Sequence, residues 1–218
     1  MTRGPETPEE RARAIEVKRR LYGKEAPTYD READFTERWL FGTGHRGWAC
    51  SKAMGVTLDV AIGTGLNLPH YPRNVRLTGV DLSPDMLARA VTRARELGRT
   101  IRLTEGDAEH LPFADRSFDT VVCTYALCSV RDDAGAISEM HRVLRPGGRL
   151  ILVDHIRSSV PPIFWFQWLH EFIPRRTKGE YSTRRPSVHV KAGDFRIHAR
   201  DRLRAGIIER LVAVKTST

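Results

Sequence analysis

Residues 59–65 read Asp-Val-Ala-Ile-Gly-Thr-Gly, and the acid Asp81 closes the next apolar run, Gly-Val-Asp-Leu-Ser. An apolar strand over Val56 to Ile62 that enters a glycine turn, with a second strand ending on an acid about 20 residues later, has the spacing of a nucleoside-binding βαβ unit. Gly63 and Gly65 let the backbone turn tightly and approach a ligand without a Cβ in the way. The helix that follows offers free N–H groups at its start. Asp81 stands where a carboxylate accepts hydrogen bonds from two ribose hydroxyls. Taken alone, the same glycines could serve only to tighten a strand-to-helix connection.

Around this unit the chain alternates strand and helix. Strands are expected over Leu58 to Ile62, Leu77 to Val80, Ile101 to Glu105, Thr120 to Thr124 and Arg149 to Asp154. A helix opens at Ser83-Pro84-Asp85, with an N-cap, a first-turn proline and an acid at the positive helix end, and stops at Gly98. Another runs from Ala134 to Leu144 and ends at Pro146-Gly147-Gly148. Before the first strand, Pro8 to Lys24 reads as a charged helix, and a second helix carries Phe35, Trp39 and Leu40 before glycines 42, 44 and 47. Phe195 to Arg202 and Ile207 to Val214, joined through Arg204-Ala205-Gly206, read as a hairpin. The fold class is therefore α/β: a Rossmann-like, doubly wound sheet, mostly parallel with an antiparallel C-terminal hairpin strand and helices on both faces.

A length of 218 residues suits a single domain. No apolar run is long enough to span a bilayer, and the charged start from Met1 to Arg20 lacks a signal-type apolar stretch, so a cytoplasmic protein is expected. Cys50, Cys123 and Cys128 have neither zinc-site spacing nor a disulfide pattern, and Cys123 and Cys128 read as small apolar residues near a strand end. Charge is uneven: residues 1–140 hold 20 Lys or Arg against 21 Asp or Glu, and residues 141–218 hold 16 against 6. The basic C-terminal third reads either as a solvated surface or as a peripheral membrane contact; no nucleic-acid module accompanies it, so no specific nucleic acid is expected. Nothing in the sequence fixes an oligomeric state.

Five segments in order resemble the class I S-adenosylmethionine (SAM)-dependent methyltransferases, in the ubiquinone/menaquinone-type branch called methyltransferase type 11. They are Asp59-Val-Ala-Ile-Gly-Thr-Gly, Val80-Asp-Leu-Ser-Pro-Asp-Met-Leu87, Gly106-Asp-Ala-Glu-His-Leu-Pro-Phe113, Ser117-Phe-Asp119 and Arg142-Val-Leu-Arg-Pro-Gly-Gly148. The resemblance covers residues 28–156 well and the remainder loosely. It implies SAM as cofactor, with S-adenosylhomocysteine as product, and a division into a helical cap (1–50), a SAM-binding core (56–156), an acceptor lid (157–192) and a terminal hairpin (193–216), all in one domain (1–218). By the same resemblance Asp59, Ala61, Gly63 and Gly65 line the methionine portion, Asp81 holds the ribose, Leu82 packs on adenine, and Asp107 with Ala108 meets the adenine edge; Met86 joins this set. Tyr29 and Thr124 close the methionine end. Ala61 departs from the glycine common in relatives. A nicotinamide-binding domain is the competing reading of the glycine turn, but Leu68 stands where its third glycine is expected and Gly106-Asp107 has no role in that fold.

Methyl transfer from a sulfonium is an in-line displacement that needs positioning and dryness rather than a metal, and the histidine spacing suggests no metal site. A base is needed only for an acceptor that carries a proton. His155, with Asp154 as orienting partner, reads equally as that base or as a strand-end cap, while His70 reads as a pocket wall or a structural residue. Phe164, Trp168 and Phe172 fall on one helix face over Pro161 to Pro174, extended by Trp165 and Leu169, and with Tyr125 they are the expected acceptor contacts. Gly65-Leu-Asn-Leu-Pro-His-Tyr-Pro72 resembles bacterial phosphatidylethanolamine N-methyltransferases; Val121 to Val130 with Asp154-His155 resembles thiol S-methyltransferases. The expected function is methyl transfer to N, S or O of a small-molecule or lipid-like acceptor. A phospholipid amine and a thiol are the alternative acceptors, and a non-catalytic SAM-binding protein is the alternative of another class.

Overall fold

The computed structural model describes residues 7–177, 179 and 181–216; the side chains of Pro8, His170 and residues 172–177, Phe172 of the expected aromatic face among them, lie outside that description. One seven-stranded sheet organises the chain, in the order β3-β2-β1-β4-β5-β7-β6. Strands β1 (Val56–Val60), β2 (Arg76–Asp81), β3 (Arg102–Glu105), β4 (Phe118–Thr124) and β5 (Leu144–His155) run parallel. The hairpin of β6 (Phe195–Leu203) and β7 (Ile208–Lys215) is present as expected, and β7 pairs antiparallel with β5 from Arg149↔Val214 to His155↔Ile208. Its turn, Arg204-Ala205-Gly206, holds three consecutive residues at positive φ.

Alternation along each strand sends side chains to two cores. Leu58, Val60, Val121, Cys123, Leu150, Leu152 and Leu211 pack on one face against Ala136, Ile137 and Met140 of α5 (Asp133–Val143) and Val190 of α7 (Pro186–Ala192). Val122, Ile151, Val153, Ile208 and Val212 pack on the other, against Ala49 and Cys50 of α3 (His45–Cys50) and Ala94 of α4 (Pro84–Glu96). The two layers of helices make the sheet doubly wound. Helix starts follow local chemistry: Ser83 Oγ accepts from Met86 N at α4 and Asp132 from Ala134 N at α5. At α1 (Pro8–Glu25), Thr7 and Glu10 form a reciprocal capping box.

Several expected elements shift. The helix expected to reach Leu144 ends at Val143; Leu144 pairs with Phe118 and the ladder resumes at Thr120 beside Arg149, so residues 145–148 bulge out, as a strand containing Pro146 requires. The second helix carries Phe35 as expected, but α2 (Tyr29–Thr36) then passes into a π turn over Glu37–Phe41 that carries Trp39 and Leu40, and all three side chains are exposed. Helix α6 (Pro161–Thr177) runs past Pro174, where the shorter version was expected to stop. Helices α3 and α7 were not anticipated; at 6 and 7 residues they are too short to show a period.

Candidate functional site

A cleft lies over the carboxyl ends of β1, β2 and β4, where the sheet order reverses and ligands of such sheets bind. It encloses about 870 Å³ between atoms, part of it open to solvent. Of the expected residues, Tyr29, Ala61, Gly63, Asp81, Leu82, Met86, Asp107, Ala108 and Tyr125 line it. The Asp81 carboxylate sits nearly buried in the floor, with Oδ2 accepting from Gly63 N at 2.8 Å and Oδ1 from Ser83 N at 2.9 Å. Burial raises its pKa, and these backbone donors oppose the rise. Each oxygen keeps a lone pair for a hydroxyl in the cleft. A Cβ on Gly63 would meet nothing nearer than the Tyr29 ring edge at 4.0 Å, so this glycine serves its φ of +57° and leaves space beside the ligand wall. Burial pushes the Tyr29 phenol up to about 12, which keeps it neutral.

Asp59, Gly65 and Thr124 do not line the cleft. Gly65 is required instead by packing, since a Cβ would stand 2.8 Å from Leu68 Cδ1 and 3.3 Å from the Ala90 backbone. Asp59 is fully buried beneath the floor, where both its oxygens accept from Asn67 Nδ2 at 3.1 Å. Burial pushes its carboxyl up to about 7 against the Asn67 hydrogen bonds and the nearby Arg46 charge. Thr124 Oγ1 accepts from Arg46 and bonds Asn67. Arg46, on α3, is the hub that sequence reading missed. Its guanidinium binds Glu37 at 2.7 Å, Asn67 Oδ1 and Thr124 Oγ1 at 3.1 Å each, and stacks 5.0 Å from the Tyr125 ring centre. Nothing in Gly-His-Arg-Gly-Trp distinguishes that arginine from a loop cation; only the fold brings it under β4.

At the end of the cleft beside Asp107, α1 supplies Ile15, Lys18 and Tyr22 to the wall and closes it with charge. Arg11 binds the Asp107 carboxylate at 2.7 Å and lies 3.6 Å from Glu109; Arg19 binds Glu105 and the Leu82 carbonyl. Asp107 Oδ1 also accepts from Glu109 N at 2.9 Å, so both oxygens of the expected adenine-edge acid are engaged. The sequence showed α1 as a charged helix and gave no sign that its arginines reach the acids after β2 and β3.

On the acceptor side, Tyr125 follows β4 with a φ of +54°, strained for a non-glycine residue. Its ring stacks on Phe41 with centres 5.5 Å apart, and Phe41 stacks on the His155 imidazole at 5.3 Å. Phe41, from the π turn, is a second residue that sequence reading passed over. Asp154 does not orient His155 as expected: its oxygens accept from the backbone N–H groups of Leu127 and His155, each at 2.8 Å, and hold the β4–α5 loop instead. Neither His155 nor His70 lines the cleft; His70 is exposed, beside Gly47 of α3. Phe164, Trp165 and Trp168 stand apart from it too, because α6 turns Trp165 and Trp168 to the surface. Cys128, Asp154 and His155 bring ligand atoms within 4.8 Å of one another, the one such group among the described residues, but the Asp154 oxygens are already taken by backbone donors. All three cysteines are free and buried. Among the described residues no helix is long and apolar enough to cross a membrane.

Residues 58–152 match the model of a family described as "Methyltransferase domain". The chain is 37% identical over 169 residues to a demethylmenaquinone methyltransferase of Tropheryma whipplei, covering 73% of this chain and 68% of that protein. It is 40% identical over 111 residues to a phosphatidylethanolamine N-methyltransferase of Cereibacter sphaeroides, covering 50% of this chain and only 55% of that relative. Among solved structures, the YcgJ protein of Bacillus subtilis is similar with a TM-score of 0.64 at 22% identity, over 80% of this chain and 99% of that one. A methyltransferase described as putative from Bacillus halodurans has a TM-score of 0.67 at 18% identity, over 79% and 98%.

Proposed function

The chain belongs to the methyltransferase domain family, and from that premise we propose that it transfers the methyl group of SAM to N, S or O of a small or lipid-like acceptor held beside Tyr125 and His155. The observation that carries the reading is the Asp81 carboxylate, set in the cleft floor by Gly63 and Ser83, where it lines a space large enough for a nucleoside. When bound, SAM supplies an electrophilic methyl on a sulfonium. The chain does the rest. Asp81 accepts from the ribose, Leu82, Met86 and Ala108 give the base an apolar slot, and Gly63 and Ala61 leave room for the methionine end under Tyr29. Asp107 is the acceptor for the adenine amino group once it shares or releases Arg11.

Acceptor positioning falls to the aromatic group Tyr125, Phe41 and His155, which excludes water from the carboxyl end of β4 and β5. Tyr125 is the member of this group that lines the cleft, with His155 behind Phe41, so the arrangement favours an acceptor such as a thiolate that needs no base. The similarity to a demethylmenaquinone methyltransferase and to ubiquinone/menaquinone C-methyltransferases adds a ring carbon of a quinone-type acceptor to N, S and O. A phospholipid amine is the second reading, favoured by the apolar surface of α6. Labelled SAM offered with amines, thiols, phenols, quinols and phospholipid vesicles tests the activity, and cofactor uptake without transfer to any of them would support a binding protein instead. By calorimetry, Asp81→Ala is expected to weaken SAM affinity at least 30-fold, about 2 kcal/mol for a buried charged acceptor; unchanged affinity would remove Asp81 from the site.

A further inference from the structure

Helix α6 is built inside out. In a helix that covers a globular core the apolar stripe faces inward. Here Gln167 and Glu171, one turn apart, face the protein: Gln167 accepts from Ser158 N at 2.7 Å and donates to the Ile156 carbonyl at 3.0 Å, while the buried Glu171 accepts from Thr183 N at 2.8 Å and from Ser182 Oγ. The outward side carries Trp165, Phe166, Trp168 and Leu169, exposed to 62%, 68%, 58% and 69%. Polar anchoring therefore fixes which way the helix faces, and the apolar face is held toward solvent. Four large apolar side chains in five residues exceed the scattered exposure that soluble surfaces normally show.

The same rim of the sheet bears a second apolar group, and cations lie between the two. Trp39 and Leu40 are exposed on the π turn whose Phe41 stacks on His155, at the end of the strand that leads into α6. The Arg204 side chain reaches the Gly42 backbone beside that turn, and the neighbouring Ala205 carbonyl accepts from Ser158 Oγ just before α6. Further round, Arg200 and Arg202 share the single acid Glu209, and Arg202, Arg157 and Arg200 all lie close enough to Arg185 to repel it. Tryptophan pairs with arginines around them match the chemistry of a headgroup layer, where amphipathic rings settle at the water boundary and cations meet lipid phosphates. An anionic headgroup layer takes up the apolar face and the arginines together, which favours it as the occupant.

We propose that the outward face of α6, with the rim at Trp39, Leu40 and Arg204, is the surface by which this protein lies on an anionic lipid bilayer, bringing an amphiphilic acceptor to the Tyr125 end of the cleft, beside the Phe41–His155 stack. The surface is independent of the methyl-transfer reading; only the acceptor's class rests on it. The test uses the full chain with vesicles of phosphatidylcholine alone and with 30–50% phosphatidylglycerol, roughly the anionic content at which surface attraction is strong. Sedimentation with anionic vesicles, together with a blue shift of tryptophan emission, is the expected result. The paired exposed changes Trp168→Glu and Leu169→Glu should weaken vesicle partitioning at least tenfold and leave thermal stability and SAM affinity unchanged; Arg204→Glu should weaken it severalfold and reduce its salt dependence. Absence of vesicle binding, binding indifferent to these changes, or a dimer formed without lipid and lost in the Trp168/Leu169 variant would each overturn the proposal. SAM affinity measured without vesicles reports separately on the cofactor reading, so failure of one is distinguishable from failure of the other.

Discussion

The nucleoside half of the cleft and the acceptor half stand on adjacent strands of one sheet, yet they are closed by opposite means. Around Asp81 and Asp107 nearly every polar atom is already satisfied, by backbone N–H groups below and by the arginines of α1 above. Around Tyr125 the contacts are ring on ring, and the nearby surface of α6 and the π turn is apolar and open. On the proposed reading, the cofactor is met by hydrogen-bonding groups at fixed positions, which tolerate little change. On the same reading, the acceptor is met by aromatic surface, which adapts. Arg46 joins the two halves, since it holds Thr124 and Asn67 on one side and stacks on Tyr125 on the other.

That joint is where the comparison breaks most severely. Arg46→Met removes a buried cation and leaves Glu37 without its partner, with an expected loss of about 3–5 kcal/mol. Urea unfolding measures it, and the double change with Glu37→Leu should recover much of the loss. If Arg46→Met alone were neutral, the two halves would be independent. Next in size is the pH response of Asp59. Its folded pKa of about 7 lies above the ordinary 3.8, so the stability it contributes is complete below about pH 4 and is lost as pH rises through 7. A shift of roughly three units corresponds to at most about 4 kcal/mol. Asp59→Asn, which keeps one acceptor for Asn67, should therefore stabilise the protein at pH 8 and much less at pH 4; equal effects at both would show the carboxylate to be ionised throughout.

The nucleoside half was far more legible in the sequence than the acceptor half, for a physical reason. Glycines, a strand-end acid and N-caps act on their own neighbours in the chain, so Gly63, Asp81 and Ser83 could be read in order with their strands. Gly65 and Asp59 were attributed to the ligand because they share that run, whereas packing on Leu68 and a bond to Asn67 explain them. Arg46 and Arg11 act on residues 78 and 96 positions away, which no local pattern reveals. The aromatic period of α6 was real, but period alone does not say which side faces the core; Gln167 and Glu171 decide it through bonds to two separate loops.

A smaller effect tests whether α1 guards the cofactor or competes with it. Arg11 holds an oxygen of Asp107 that the adenine amino group would use, across a partly exposed ion pair worth about 1 kcal/mol. Arg11→Ala is then expected to raise SAM affinity about fivefold and to flatten the salt dependence of association, read by stopped-flow fluorescence. A fall in affinity would instead make Arg11 a clamp on bound nucleoside, and the α1 contacts would belong to the grip rather than to the gate.

The smallest effect separates backbone strain from side-chain contact. Ala61 and Tyr125 end neighbouring strands with φ of +55° and +54°, a conformation that disfavours any side chain. At Tyr125 the ring is held between Phe41 and Arg46, so contacts are lost together with strain if the side chain is removed. Ala61 has only a methyl group on the cleft wall. Ala61→Gly relieves about 1–2 kcal/mol of left-handed strain and gives back about 0.5–1 kcal/mol through the greater freedom of an unfolded glycine. The net expectation is a gain of roughly 1 kcal/mol or less, measured as a rise in urea midpoint at unchanged slope, with SAM affinity altered by less than about threefold. A clear loss of affinity would mean that the Ala61 methyl itself shapes the methionine end of the cleft, and the nucleoside half would then share the acceptor half's reliance on apolar contact.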